Sequence, residues 1–302
     1  MKQTAETGYS IALGMFDGVH RGHQALLKKA VEEGKKQGCK SMAFTFSNHP
    51  AEIFGKNTAL LSTPEQRKQW MLDAGVDRVE MIPFTKEFAS LSSEAFLDYL
   101  MERYPVRGLV AGFNYTFGRY GRGTEKTLLR LGKKHHLGVH IVEPVLYEGV
   151  PISSSRIREA LLQGQAAKAR DMLGRPYTLK GKVISARGIG RSLGYPTANL
   201  QTEGMLWPMD GVYATAVRTG GEIFAAVTNV GNNPTVSGQN RSVETHLLEV
   251  KRDLYDQELE VAFLKRLREE RRFPTLGDLK FQIGRDALAA MAMFEAYGKK
   301  SF

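Results

Sequence analysis

Gly14-Met15-Phe16-Asp17-Gly18-Val19-His20-Arg21-Gly22-His23 sets two imidazoles three positions apart, where an apolar stretch gives way to a helical one. Upstream, Ile11-Ala12-Leu13 reads as a buried strand; downstream, Leu26, Leu27, Ala30 and Val31 recur at helical spacing as far as Gly34. The histidines therefore fall at a helix N-terminus. There the unpaired backbone N–H groups and the helix dipole attract anions, and the small residues Gly18 and Gly22 let a phosphate come close to the backbone. A strand, a glycine-containing turn and a helix start in that order read as a nucleotide site, and a triphosphate is the expected ligand. A zinc pair is the competing reading, but a single cysteine and no adjacent ligand cluster leave zinc short of donors.

The pattern outward from this stretch is an alternation. Tyr9 to Leu13, Met42 to Phe46, Arg78 to Pro83, Gly108 to Ala111 and Val139 to Val142 read as strands. Helical stretches lie between them: one after His23, one opened by Thr63-Pro64-Glu65-Gln66 with an N-cap, a first-turn proline and a capping-box glutamine, then Glu94 to Arg103 and Thr124 to His136. Such alternation predicts a Rossmann-like, doubly wound parallel sheet with its ligand beyond the carboxyl ends of the strands, after Leu13, Phe46 and Ala111. A short helix ending near Gly164 and a polar stretch to Gly174 follow. Past Pro176 the rhythm changes to β-rich segments, Tyr177 to Ala186, Val212 to Arg218, Ile223 to Asn229, Ser242 to Val250 and Glu258 to Leu264, which predict a small antiparallel barrel. A helix from about Thr275 to Tyr297 closes the chain. The expected domains are residues 1–165 and 174–302.

At 302 residues and 42% hydrophobic content, two domains with separate cores are the better expectation. No apolar run approaches a membrane span and the start lacks a signal-peptide pattern, so a soluble cytoplasmic protein is expected. The lone Cys39 excludes an internal disulfide and fits a reducing compartment. A net charge of +10 suggests polyanionic partners, which phosphorylated small molecules satisfy as well as nucleic acid. The aromatic and arginine-rich segment Gly112 to Gly123 hints at base stacking, yet it lacks RNP1 spacing and no helix-turn-helix or zinc finger accompanies it. Nucleic acid and membrane are therefore not the expected partners; a weak homo-oligomer is left open.

Three separated motifs carry a family resemblance over about residues 9–164: Gly14 to His23; Gly112-Phe113-Asn114-Tyr115-Thr116-Phe117-Gly118; and Ile152-Ser153-Ser154-Ser155-Arg156-Ile157-Arg158. They resemble the adenylyltransferase module of the bacterial bifunctional riboflavin kinase and FAD synthetase family. The resemblance implies that His20 and His23 act on the ATP phosphates. It further implies that Gly14, Phe16, Asp17 and Asn114 hold nucleotide or flavin, and that Ser154, Ser155 and Arg158 cradle the β- and γ-phosphates. The chemistry suits these residues. FMN phosphate attacks the α-phosphate of ATP without a protein nucleophile, so the enzyme must align reactants and neutralise the leaving pyrophosphate. Ser153 to Ser155 would also cap the helix they open. Capping alone does not explain two arginines in its first turn, where the dipole disfavours cations unless an anion is bound. Two departures stand out. Met15 replaces a small or polar residue, and Thr45-Phe46-Ser47-Asn48-His49-Pro50 replaces Thr-Phe-Asp-Pro-His-Pro.

From Gly174 to the end the chain resembles riboflavin kinase, and the key string is Gly188-Ile189-Gly190-Arg191-Ser192-Leu193-Gly194-Tyr195-Pro196-Thr197-Ala198-Asn199-Leu200. No Gly-Lys pair is followed by Ser or Thr, so a Walker A loop is absent, and Gly188, Gly190 and Gly194 are the candidates to bring backbone N–H groups onto phosphate. Thr197 and Asn199 lie on one side of an extended strand and present two neutral oxygens of the kind Mg²⁺ prefers. By the resemblance they hold the Mg²⁺–ATP complex, and Glu244 is the base that takes the riboflavin 5′-hydroxyl proton. Alternation sets Glu244 and His246 opposite Val243, Thr245 and Leu247, with His246 a neighbour rather than a catalyst. Arg268-Glu269-Glu270-Arg271-Arg272-Phe273 matches a segment near the flavin mouth and reads equally as a solvated charge run. The expectation is a two-module enzyme that makes FMN from riboflavin and FAD from FMN. The rivals are a kinase with feeble adenylyltransferase activity and a flavin-responsive RNA-binding regulator.

Overall fold

The computed structural model describes residues 8–56, 58–184, 195–202, 204–235, 238–250, 252 and 254–297. The chain divides into two compact units, Met1–Ser153 and Ser154–Phe302.

In the first unit, strands β1 (Tyr9–Leu13), β2 (Lys40–Phe46), β3 (Arg78–Ile82), β4 (Val106–Gly112) and β5 (Gly138–Val142) form a wholly parallel sheet ordered β3-β2-β1-β4-β5. Side-chain alternation divides its core into two layers. Ile11, Leu13, Met42, Phe44, Leu109 and Ala111 face α4 (Ser93–Arg103) and α5 (Glu125–Lys134), which contribute Phe96, Leu97, Leu100, Leu128 and Leu131. Ala12, Ala43 and Val110, one position out of phase, face α1 (Arg21–Lys36) and α2 (Pro64–Asp73) through Leu26, Leu27, Ala30 and Met71. Small residues on one face and large ones on the other let both helix layers pack closely. The predicted capping box is present: Thr63 Oγ1 accepts from Gln66 N–H, and Gln66 Oε1 accepts from Thr63 N–H. Strand order reverses between β1 and β4, so the crevice beyond their carboxyl ends is the topological switch point. The short α3 (Lys86–Ala89) and the two-residue pair β6 (Leu146–Tyr147) and β7 (Val150–Pro151) carried no signal in the hydrophobic pattern.

The second unit opens with α6 (Ser154–Leu162) and α7 (Ala166–Leu173). The stretch before Gly174, read from sequence as merely polar, is thus a helix that buries Ala166, Ala169, Met172 and Leu173 and ends on Gly174 in the left-handed conformation. Then β8 (Tyr177–Ile184), β9 (Ala198–Gln201), β10 (Gly211–Thr219), β11 (Glu222–Thr235), β12 (Gly238–Leu247) and β13 (Glu258–Arg268) close a six-stranded antiparallel barrel in the order β10-β11-β12-β9-β8-β13. Several strands outrun their apolar cores because the ladder continues through polar residues. β12 stops at Leu247, short of the expected Val250, and Glu249 beyond it turns with φ 59°. Inside the barrel Thr215, Thr228 and Thr245 pass hydrogen bonds across three strands at 2.8 and 2.7 Å, which satisfies polar groups in an otherwise apolar interior. α8 (Leu276–Tyr297) packs on the outer wall, Ala290 and Met291 against Ala214, Ala225 and Leu248, and Arg268 pairs with the buried Asp286 at 2.9 Å.

Candidate active sites

Phe16 to Val19 makes a turn of unusual backbone. Phe16 (φ 54°), Gly18 (φ 74°) and Val19 (φ 38°) are all left-handed, and the β-branched Val19 is strained there. Burial of the Phe16 and Val19 side chains helps to hold it. Strain concentrated at the mouth of β1 aims the next residues: His20 is the N-cap of α1, its Nδ1 accepting from His23 N–H at 3.3 Å. That bond leaves the proton of neutral His20 on Nε2. The two imidazoles stack, centroids 3.6 Å apart and planes 15° from parallel, and Phe16 meets His23 edge-on. Gly22 gives this stack room, because a Cβ would stand a tight 3.2 Å from two atoms of the His20 ring.

A cavity of about 460 Å³ opens at the switch point, with Gly14, Phe16, His23, Phe84, Asn114 and Tyr120 among its walls. The aromatic walls continue through Phe46 and Phe88, whose rings meet Phe84 at 4.8 and 5.7 Å. The Asn114 side chain folds back over Gly112 at the end of β4. Gly118 and Gly123 lie against Ser93, which locks the Gly112 to Gly123 segment onto the start of α4. Asp17, expected to hold nucleotide or flavin, lies at a backbone contact. Its buried carboxylate accepts from Leu61 N–H at 3.0 Å, fixing the loop before α2, and it is not in the cavity wall.

Arg67 is a residue the sequence reading missed. This fully buried arginine on α2 donates to the carbonyls of Met15 (3.3 Å), Phe46 (2.9 Å) and Ser47 (3.1 Å), so it ties together the carboxyl ends of β1 and β2. Burial pushes its guanidinium below the ordinary value, and the Asp17 carboxylate opposes that. Thr45 also donates to the Met15 carbonyl, at 2.9 Å. The departure at Met15 thus leaves the backbone role of that position intact. Asn48 pairs both amide ends with the Phe84 backbone at 3.1 and 2.7 Å, so the unusual Ser47-Asn48 stretch buttresses an aromatic wall. Ser154, Ser155 and Arg158 occupy the first turns of α6, and the third motif straddles the break between the two units.

On the barrel's outer wall three strands bring polar side chains into one row: Glu244 of β12 is in register with Asn199 of β9 on one side and Asn229 of β11 on the other. The Thr197 hydroxyl hydrogen-bonds the same glutamate, and Ser242 donates to it at 3.3 Å. Burial pushes the Glu244 carboxyl up, those hydroxyls pull it down, and the neighbouring Glu270 carboxylate raises it again. His246 binds the Pro196 carbonyl at 2.7 Å and meets Tyr195 edge-on, which holds the segment carrying Thr197. Thr197, Asn199 and Glu244 are therefore brought together as expected. Gly188, Gly190 and Gly194 lie outside the described residues. Among the described residues no cluster of three His, Cys, Asp or Glu side chains could hold a metal, so a cation here would take the neutral oxygens of Thr197 and Asn199, donors that suit Mg²⁺ shared with a nucleotide.

A parallel sheet with a histidine pair at its switch point, followed by a barrel that gathers a carboxylate with neutral oxygen donors, describes a nucleotide-dependent transferase with two centres. Family models agree: FAD synthetase matches residues 2–156 and riboflavin kinase residues 173–294. The bifunctional riboflavin kinase/FMN adenylyltransferase of Escherichia coli (strain K12) is 36% identical over 298 residues, covering 97% of this chain and 95% of its own. That of Bacillus subtilis (strain 168) is 34% identical over 292 residues, covering 94% and 92%. A solved structure described as a macrolide-efflux protein from Streptococcus pneumoniae has TM-score 0.86 and 30% identity over 94% of each chain. No helix among the described residues is long and apolar enough to cross a membrane. The chain belongs to the bifunctional riboflavin kinase/FMN adenylyltransferase family.

Proposed function

We propose that the switch-point crevice transfers an adenylyl group from ATP to FMN and that the outer wall of the barrel phosphorylates riboflavin. The observation that carries the kinase half is the meeting of Glu244 with Thr197 and Asn199. Glu244 accepts the proton of the riboflavin 5′-hydroxyl as that oxygen attacks the γ-phosphate in line. Its raised proton affinity makes it a stronger base than an exposed glutamate. Thr197 and Asn199 would hold Mg²⁺, which when bound supplies charge neutralisation on the transferring phosphate.

In the sheet unit the α1 N-terminus and the stacked His20 and His23 receive the triphosphate, with donors fixed in advance by the Phe16 to Val19 turn. The aromatic cavity takes the flat ring of the flavin, and Asn114 holds the ligand at its rim. The part expected of Ser154, Ser155 and Arg158 toward the ATP phosphates rests on their motif alone. The test is to incubate the purified protein with riboflavin, ATP and Mg²⁺ and to resolve the flavins. FMN appearing first and FAD second is the expected course. FMN accumulating without FAD, even when FMN is supplied, would leave a kinase alone, and no flavin product would overturn both assignments.

A further inference from the structure

Glu270 sits in the segment between β13 and α8, inside a run that by sequence reads equally as solvated charge. Its carboxylate is not loose. Oε1 accepts from Asn229 Nδ2 at 2.8 Å, and the side chain lies so close over Gly231 that a Cβ there would run into the carboxylate. Asn229 and Gly231 are two positions apart on β11 and so share a face, and Asn229 is the register partner of Glu244. The last segment of the chain thus reaches back across the barrel to the row of polar side chains that includes the kinase base.

We propose that Glu270 is a positioning residue of the kinase reaction: it engages the amide N–H of Asn229, leaving the amide oxygen to accept a hydroxyl of the polyol substrate beside Glu244. This rests on the kinase reading of Glu244. An unrestrained asparagine can offer either end of its amide, whereas one whose N–H is held by a carboxylate offers oxygen. A polyhydroxyl chain such as the ribityl group of riboflavin needs acceptors of this kind, placed so that the terminal hydroxyl reaches the base. Gly231 is then a site residue too, since only hydrogen leaves room for the carboxylate.

The experiment uses the full chain, with adenylylation of added FMN as the control for folding. Glu270→Ala and Gly231→Ala should each raise KM for riboflavin about tenfold, the worth of one charge-assisted hydrogen bond, with kcat changed less than threefold. Glu270→Gln keeps an oxygen for the Asn229 N–H, so its KM should stay within about threefold. In an Asn229→Ala background Glu270→Ala should add nothing, because the two act through one contact. Unchanged KM in both Glu270→Ala and Gly231→Ala would overturn the proposal, as would additive losses in the double variant. Glu244→Gln separates the readings: if it still forms FMN at the normal rate the base assignment fails, whereas the KM series and the double variant judge Glu270 by themselves.

Discussion

Glu244, the proposed kinase base, would serve chemistry at the expense of stability. Burial raises its proton affinity, so the folded protein favours the neutral form, and stability falls as pH rises through the folded value. Glu244→Gln, permanently neutral, should therefore raise the melting temperature at neutral pH while FMN formation drops by roughly 10²–10⁴-fold, the typical loss of a general base. Adenylylation of supplied FMN should persist. An unchanged or lower melting temperature, measured by calorimetry, would contradict the burial argument. Candidates of this sort can be picked from the sequence: His20, His23, Thr197, Asn199 and Glu244 are residue types suited to side-chain chemistry, and local spacing pairs His20 with His23 and Thr197 with Asn199. Arg67 and Gly231 were not legible. Arg67 acts on backbone carbonyls that any residue at positions 15, 46 and 47 would supply, and Gly231 matters only because a segment some forty positions later lies on it. The Asp17 contact with Leu61 was not legible either, since a carboxylate beside a phosphate motif looks the same on paper whatever it faces.

At the scale of elements, the crevice depends on α2 holding the ends of β1 and β2. Arg67→Met should strip the arginine's donors from the Phe46 and Ser47 carbonyls, Met15 keeping the Thr45 hydroxyl, and cost roughly 2–4 kcal/mol, on the order of 10 °C in the melting temperature of a unit this size. Adenylylation should weaken further than stability alone explains, because the loops after both strands line the cavity. Riboflavin phosphorylation by the same variant is the internal comparison. A second tie joins α1 to β5. Glu33, 7% exposed, is held down to about 2 by Lys29 and Lys36 at 2.8 and 2.9 Å, with His140 of β5 at 3.1 Å. Its folded value lies below its unfolded one, so this stabilisation is full above pH 4.5 and is lost as pH falls toward 2. Glu33→Gln should melt lower than the parent at pH 7, by the order of 1–2 kcal/mol after solvent screening, and the gap should close across that window in an acid titration followed by circular dichroism. The capping box of α2 could be read from four letters, whereas α7 reads only as a polar stretch because its apolar residues are mostly alanines, weak markers of periodicity.

For the molecule as a whole, the position of α6 and α7 bears on where the kinase module begins. The Leu161 carbonyl accepts from Met209 N–H at 2.9 Å, Gly164 lies against the Arg266 side chain, and α7 packs on β8 and β13, so both helices are seated on the barrel. A fragment starting at Ser154 should therefore melt several degrees above one starting at Gly174, although the proposed catalytic row is present in both and each should phosphorylate riboflavin. Equal melting temperatures in a thermal scan would show that the helices contribute nothing to the barrel. The fold class was legible because the strand and helix alternation stops abruptly at Pro176. The seating of α6 and α7 was not, since it is made by one backbone hydrogen bond and close packing around small residues.

Barrel closure also sets an order of events on the ribosome. β13 pairs with both β8 and β10, yet Tyr177 and Glu258 stand about eighty positions apart, so the first-made strand waits with one edge bare until nearly the last strand emerges. The parallel sheet, by contrast, holds all five of its strands once Val142 has left the exit tunnel. During synthesis the nascent chain thus passes through a long interval in which one half is finished and the other exposes an unpaired edge, and this is the interval in which chaperone binding or edge-to-edge aggregation would compete with folding.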